Sequence, residues 1–100
     1  MAELQLLVMM VPGEIKDDVV DTLIACDGIS GFNMETIAGY SKEHSRYNLR
    51  EQVEGYREFF EFEVMHRPDQ EQLLLCSLRP VCESAHIRYW ILPVLKQGHL

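Results

Sequence analysis

The stretch "LQLLVMMVPGEIKDDVVDTLIACDG", Leu4 to Gly28, changes its hydrophobic period once, at Pro12-Gly13, and that change decides the fold class. Leu4 to Val11 is apolar at every position except Gln5. It is too short for a stable helix and is bounded by Pro-Gly, so it reads as a strand buried on both faces. After the break, Ile15, Val19 and Leu23 recur at helical spacing, with Val20 and Ile24 one step round. Asp17 and Asp18 lie where a helix N-terminus favours negative charge, and Gly28 can close the C-terminus in a left-handed conformation.

Working outward, "GFNMETIAGY" alternates Phe32, Met34, Thr36 and Ala38 against Asn33 and Glu35, the pattern of a half-buried strand. "REFFEFEV" does the same, with Phe60, Phe62 and Val64 opposed to Glu61 and Glu63, which read as its solvated face. "RPDQEQLLLCSLRP" predicts a second helix, with Pro68 suited to its first turn and Pro80 stopping it. "HIRYWILPV" is aromatic and β-branched, with Pro93 at its end or on an edge. The order β-α-β-β-α-β in one domain over residues 1–100 predicts an α+β fold. Short right-handed crossovers make it a ferredoxin-like βαββαβ plait, a four-stranded antiparallel sheet with both helices on one face.

In that plait the first strand is central, and it is apolar on both sides. Leu6, Val8 and Met10 form one row, and Leu7, Met9 and Val11 form the other. The helices cover one row. The second, with Met9 assigned to it, is expected to face a partner subunit, since burying each such side chain is worth roughly 1.5–3 kcal/mol. Self-association follows as an expectation.

Between the middle strands runs "GYSKEHSRYNLREQVEGY", Gly39 to Tyr56, far longer than a hairpin needs. From Ser41 to Arg57, four basic residues (Lys42, Arg46, Arg50, Arg57) face three acidic ones (Glu43, Glu51, Glu54). That is a net of +1 in a chain whose net charge is −7. Arg46, Arg50 and Arg57 with Tyr40, Tyr47 and Tyr56 are the residue types that protein interfaces favour. Asn48 and Glu51 resemble a capping box, with Leu49 and Val53 one turn apart, which predicts a short helix ending near Gly55. The arm over 41–57 is therefore a candidate partner-binding segment.

The net charge of −7 argues against binding nucleic acid or an anionic membrane surface. No apolar run approaches the roughly 20 residues of a membrane helix. The N-terminal run lacks a basic flank and reads as a strand, not a signal. Three cysteines, Cys26, Cys76 and Cys82, show no CxxC spacing, which fits reduced thiols in a cytoplasmic protein. Cys26 and Cys76 read as helix packing residues. Four histidines invite a metal, yet none has ligand spacing within the chain. His44 on the arm, and His86 with Cys82 before the last strand, are the candidate donors if subunits combine them, and such donors suit copper or zinc. Cys82 reads more readily as a small buried hydrophobe than as a donor, whereas His44 reads either way. His66 and His99 are expected to be solvated, and Trp90 to lie in the core or a subunit interface. No local nucleophile–base pairing exists, so an enzyme is not expected.

The combined pattern resembles a known family. Ser30, Gly31 and Phe32, then Gly39, His44, Glu51, Gln52, Val53 and Gly55, and finally Tyr89, Trp90, Leu92, Pro93, Val94 and Gly98 match a small uncharacterised bacterial PII-like family. Its relatives are the nitrogen regulatory PII proteins and the CutA-type proteins linked to metal tolerance. The resemblance implies a homotrimer, with residues 41–57 in the place of the T-loop that docks partners, and a role near heavy-metal efflux. The alternative it implies is a copper- or zinc-binding protein of CutA-type role. PII proteins cradle nucleotide phosphates with glycines between the second helix and last strand. Here "RPVCESAHIRYW" has none, so ATP is not an expected ligand.

Overall fold

The computed structural model describes residues 3–40 and 56–100. Strand β1 spans Leu4–Pro12, helix α1 Lys16–Ala25, β2 Phe32–Gly39, β3 Arg57–His66, α2 Glu71–Cys82 and β4 Arg88–Val94. Single 3-10 turns at Gly13–Ile15, Pro68–Gln70 and Glu83–Ala85 lead into α1, into α2 and out of α2. The sheet order is β2-β3-β1-β4, antiparallel at each pairing, with the doubly apolar β1 at its centre. This is the expected α+β plait. Pro93 lies in β4, which pairs with β1 alone at the sheet edge, the kind of strand in which proline is tolerated.

Register fixes which row faces the helices. Leu7, Met9 and Val11 pair with Val64, Phe62 and Phe60, so all six stand on one face. Leu7, Met9, Val11, Phe62 and Val64 form the core with Val19 and Leu23 of α1 and Leu74 and Leu78 of α2. The assignment of Met9 to a partner-facing row is therefore wrong: it is 2% exposed and packs under the helices. The uncovered row is Leu6, Val8 and Met10. Two apolar rows of period two look alike in sequence, and only the pairing of Met9 with the inward Phe62 separates them.

Other details also depart from the sequence pattern. Ile24, expected on the inner side of α1, is 71% exposed, so the buried stripe is narrower than the periodicity allowed. α2 does not stop before Pro80 but carries it in its last turn, where the Glu83 N–H donates to the Arg79 carbonyl. The exposed proline deprives only the Cys76 carbonyl of its helical donor, which this close to the C-terminus is tolerated. Gln70 ties the two helices together: it accepts from the Arg67 N–H at 3.0 Å and donates to the Gly28 carbonyl. Gly28 has φ +95°, the expected left-handed helix end, and a Cβ there would meet Gln70 Nε2 at 2.5 Å.

Candidate functional site

β4 is an edge strand, and α2 leaves part of its inner face open. A cleft of about 600 Å³ results, floored by Met9 and Leu78 and walled by Arg79, Cys82, His86 and Tyr89. Two of the expected metal donors, Cys82 and His86, thus meet in one cleft. Burial pushes the Cys82 thiol up, so it holds its proton more firmly than a free cysteine and is a poor ligand near neutrality. Among the described residues no group of three or more His, Cys, Asp or Glu is placed to hold a metal ion. His44 lies outside the described residues, as do Arg46, Tyr47, Arg50 and the helix expected near Asn48.

His86 has φ 50° and ψ 54°, the one left-handed non-glycine residue among those described. The position that glycine would occupy most easily in this glycine-free connection is filled by an exposed imidazole. Cys76 is exposed, contrary to the packing role expected for it, whereas Cys26 is half-buried against the core at the end of α1. Iodoacetamide at pH 8 is accordingly expected to label Cys76 before Cys82, as peptide mapping would show. Equal rates would mean that the cleft gives Cys82 no protection.

His66 was expected in solvent and is 2% exposed. Its Nδ1 lies 3.2 Å from the Val64 carbonyl and its Nε2 3.2 Å from Gln5 Oε1. The alternation Phe60, Phe62, Val64 continues inward to His66, a signal present in the sequence. A neutral imidazole has one N–H to donate to either oxygen, and its burial between Val64 and Gln5 marks it as a structural residue.

At the root of the arm the exposed Tyr40 and half-buried Tyr56 rings lie 5.7 Å apart at 44°. Arg57 pairs with Glu14 at 3.2 Å and stacks over Phe59, 5.3 Å from the ring centroid. A Cβ on Gly39 would meet that Phe59 ring at 2.5 Å, so glycine is needed for this packing. Of the expected partner-binding residues, Tyr40 is 76% exposed, whereas Arg57 is engaged with its own chain.

The face of the sheet away from the helices carries Leu6, Met10, Met65, Trp90 and Leu92, with Val8 between Glu63 and Trp90 in register. Val8 is 4% exposed, sheltered by side chains of its own face, while Met65, Trp90 and Leu92 are 38%, 37% and 47% exposed. Trp90 stands on this outer face, not in the core. Glu61 and Glu63 are not the fully solvated pair the alternation implied, because Glu35 is directly opposite Glu61. Burial first, then the carboxylates of Glu35 and Glu63 and a hydrogen bond with Glu35, push the Glu61 carboxyl above its ordinary value. Cross-strand register, invisible in the sequence, makes this cluster.

The profile of the DUF3240 family, described as a protein of unknown function, matches residues 1–100. The chain belongs to the DUF3240 family. It is similar to the crystal structure of a DUF3240 family protein from Shewanella baltica OS155, at 43% identity and TM-score 0.83, covering 100% of this chain and 99% of that one. Arabidopsis thaliana PII bound to citrate is similar in fold, with TM-score 0.69 at 13% identity over 94% of this chain and 77% of that one. So is CPII, a nitrogen regulatory PII-like protein from Thiomonas intermedia K12 bound to ADP, AMP and bicarbonate. That likeness has TM-score 0.71 at 14% identity over 97% and 96% of the two chains. The comparison with curated proteins gave no match. This DUF3240 chain therefore has a PII-like fold, and the resemblance read from Ser30–Phe32 through Gly98 is borne out at the level of family and fold. No helix among the described residues is long and apolar enough to cross a membrane.

Proposed function

We propose that this protein is a PII-like regulator or adaptor, a homotrimer that associates through the open sheet face and contacts a protein partner through the 41–57 arm. A link to heavy-metal efflux is part of this reading. It rests on the resemblance alone. The observation that carries the proposal is the division of labour in the sheet: both helices cover one face, and the other presents Met65, Trp90 and Leu92 with no covering element among the described residues. Exposed apolar area of that kind, continuous across three strands, marks an association surface. The arm leaves the sheet at Tyr40 and returns at Tyr56, whose rings meet. Its root is thereby tied to the body, as a docking arm requires. An enzyme is not proposed. ATP is not proposed as a ligand, because His86 stands where a phosphate cradle would want glycine.

The second reading, a copper- or zinc-binding protein, draws on the meeting of Cys82 and His86 in the cleft. Reversing charge at Arg46 and Arg50 separates the two. A docking arm loses its partner in a pull-down from the native host while the melt stays within about 0.5 kcal/mol of the parent. A metal protein keeps that partner, and instead loses stoichiometric copper or zinc on His44→Ala or His86→Ala. Unchanged pull-down by the arginine variants would refute the docking role.

A further inference from the structure

The open face is electrically polarised. On β2 and β3 stand Glu35, Glu61 and Glu63, while β1 contributes only the uncharged Val8 and Met10 beside them. Across β1, in register with Met10, lies Arg88 of β4, stacked on Trp90 at 5.7 Å. Glu61 and Arg88 sit two strands apart, roughly 10 Å at ordinary strand spacing, too far for a close pair within one chain. Among the described strand residues the other cation of this face, Arg57, is paired with Glu14. Each subunit thus displays an acidic row at one side of the face and a guanidinium on an aromatic ring at the other. Burial first, and then the neighbouring Glu35 and Glu63 carboxylates, raise the Glu61 carboxyl, so a cation brought to this row is favoured.

We propose that the occupant of this face is a second copy of the chain, seated head to tail so that Arg88 and Trp90 of one subunit pack against the Glu35–Glu61–Glu63 row of the next. The inference rests on the self-association reading and adds its contact. Two chains of net charge −7 repel unless their contact pairs opposite charges. The displacement of the basic and acidic patches across the sheet is met by a heterologous contact, which closes into a ring when its rotation permits. A guanidinium beside Glu61 favours the ionised carboxylate, so association draws protons off the acidic row. It must therefore strengthen as pH rises through the carboxylate range and weaken as pH falls toward 4.5, the ordinary value for Glu61.

The test is a charge swap read by sedimentation over a dilution series, with circular dichroism melts on each variant. Arg88→Glu or Glu61→Arg alone is expected to weaken association by about tenfold or more, and the double variant to recover most of it. Lowering pH from 7 to 5, or raising salt, should also weaken the parent assembly. Arg88→Gln and Glu61→Gln, gentler changes, should each weaken it in the same direction if a reversal fails to fold. A double variant no better than the singles, or a Glu61→Gln chain that associates more tightly, would overturn the pairing while leaving self-association intact. A parent chain that stays monomeric overturns both.

Discussion

Met9→Glu is expected to abolish the fold and not merely to dissociate an assembly. Met9 is 2% exposed between Phe62 on β3 and Tyr89 on β4, beneath Leu74 and Leu78. A carboxylate there is desolvated against the apolar cluster, with only the Arg79 and His86 walls of the cleft to answer it, and the cost of several kcal/mol is a large part of the roughly 5–15 kcal/mol by which domains of this size are stable. The chain should show no cooperative melt and no dispersed amide spectrum at neutral pH. Phe62→Ala, which only removes volume from the same layer, should fold with a loss of about 3–5 kcal/mol in urea unfolding. If Met9→Glu gave a folded monomer instead, the register pairing Met9 with Phe62 would be wrong, and Met9 would face outward as the bare sequence allowed.

The second large effect is expected on the other face. Leu92→Glu should leave the fold within about 0.5 kcal/mol, because the side chain is 47% exposed at an edge strand. Yet it should convert the assembly to monomers. Leu92 stands in register with Leu6, and Leu6 with Met65, so the three make an apolar row next to Trp90 and Val8. A charge at the β4 end of that row, beside Trp90, must be desolvated whenever a second subunit covers it. Light scattering at micromolar concentration should give three times the 11.6 kDa chain mass for the parent and one chain mass for the variant. A variant that kept the parent's mass would remove the open face from the association surface, and with it the main support for the proposed assembly.

Taken together, the two substitutions separate folding from assembly because they lie on opposite sides of one sheet. Both leave the arm untouched. Partner docking through Arg46 and Arg50 can then be followed in Leu92→Glu to learn whether a single subunit suffices. The cleft beside β4 adds a local pH dependence. Since burial holds the Cys82 thiol above its ordinary 9.0, the unfolded chain loses that proton first. Stability from this group is full below pH 9 and declines above it.

What the sequence determined by itself was the succession of elements and the class of fold. Ile15, Val19 and Leu23 at helical spacing, and Phe60, Phe62 and Val64 at alternate positions, are local periodicities that need no partner to be read. Gly28 could likewise be read as a helix end because only glycine takes φ +95° at little cost. The tertiary structure alone decided everything that depends on register and on which face the helices choose. It turned Met9 inward, carried α2 past Pro80, buried His66 against Gln5, and set Glu35 opposite Glu61. It also brought Cys82 and His86 to one cleft while leaving Cys76 in solvent. A strand with two apolar rows specifies that it is central but not which row is inside. That choice is made by the strands beside it, whose pairing is a long-range property no local pattern contains.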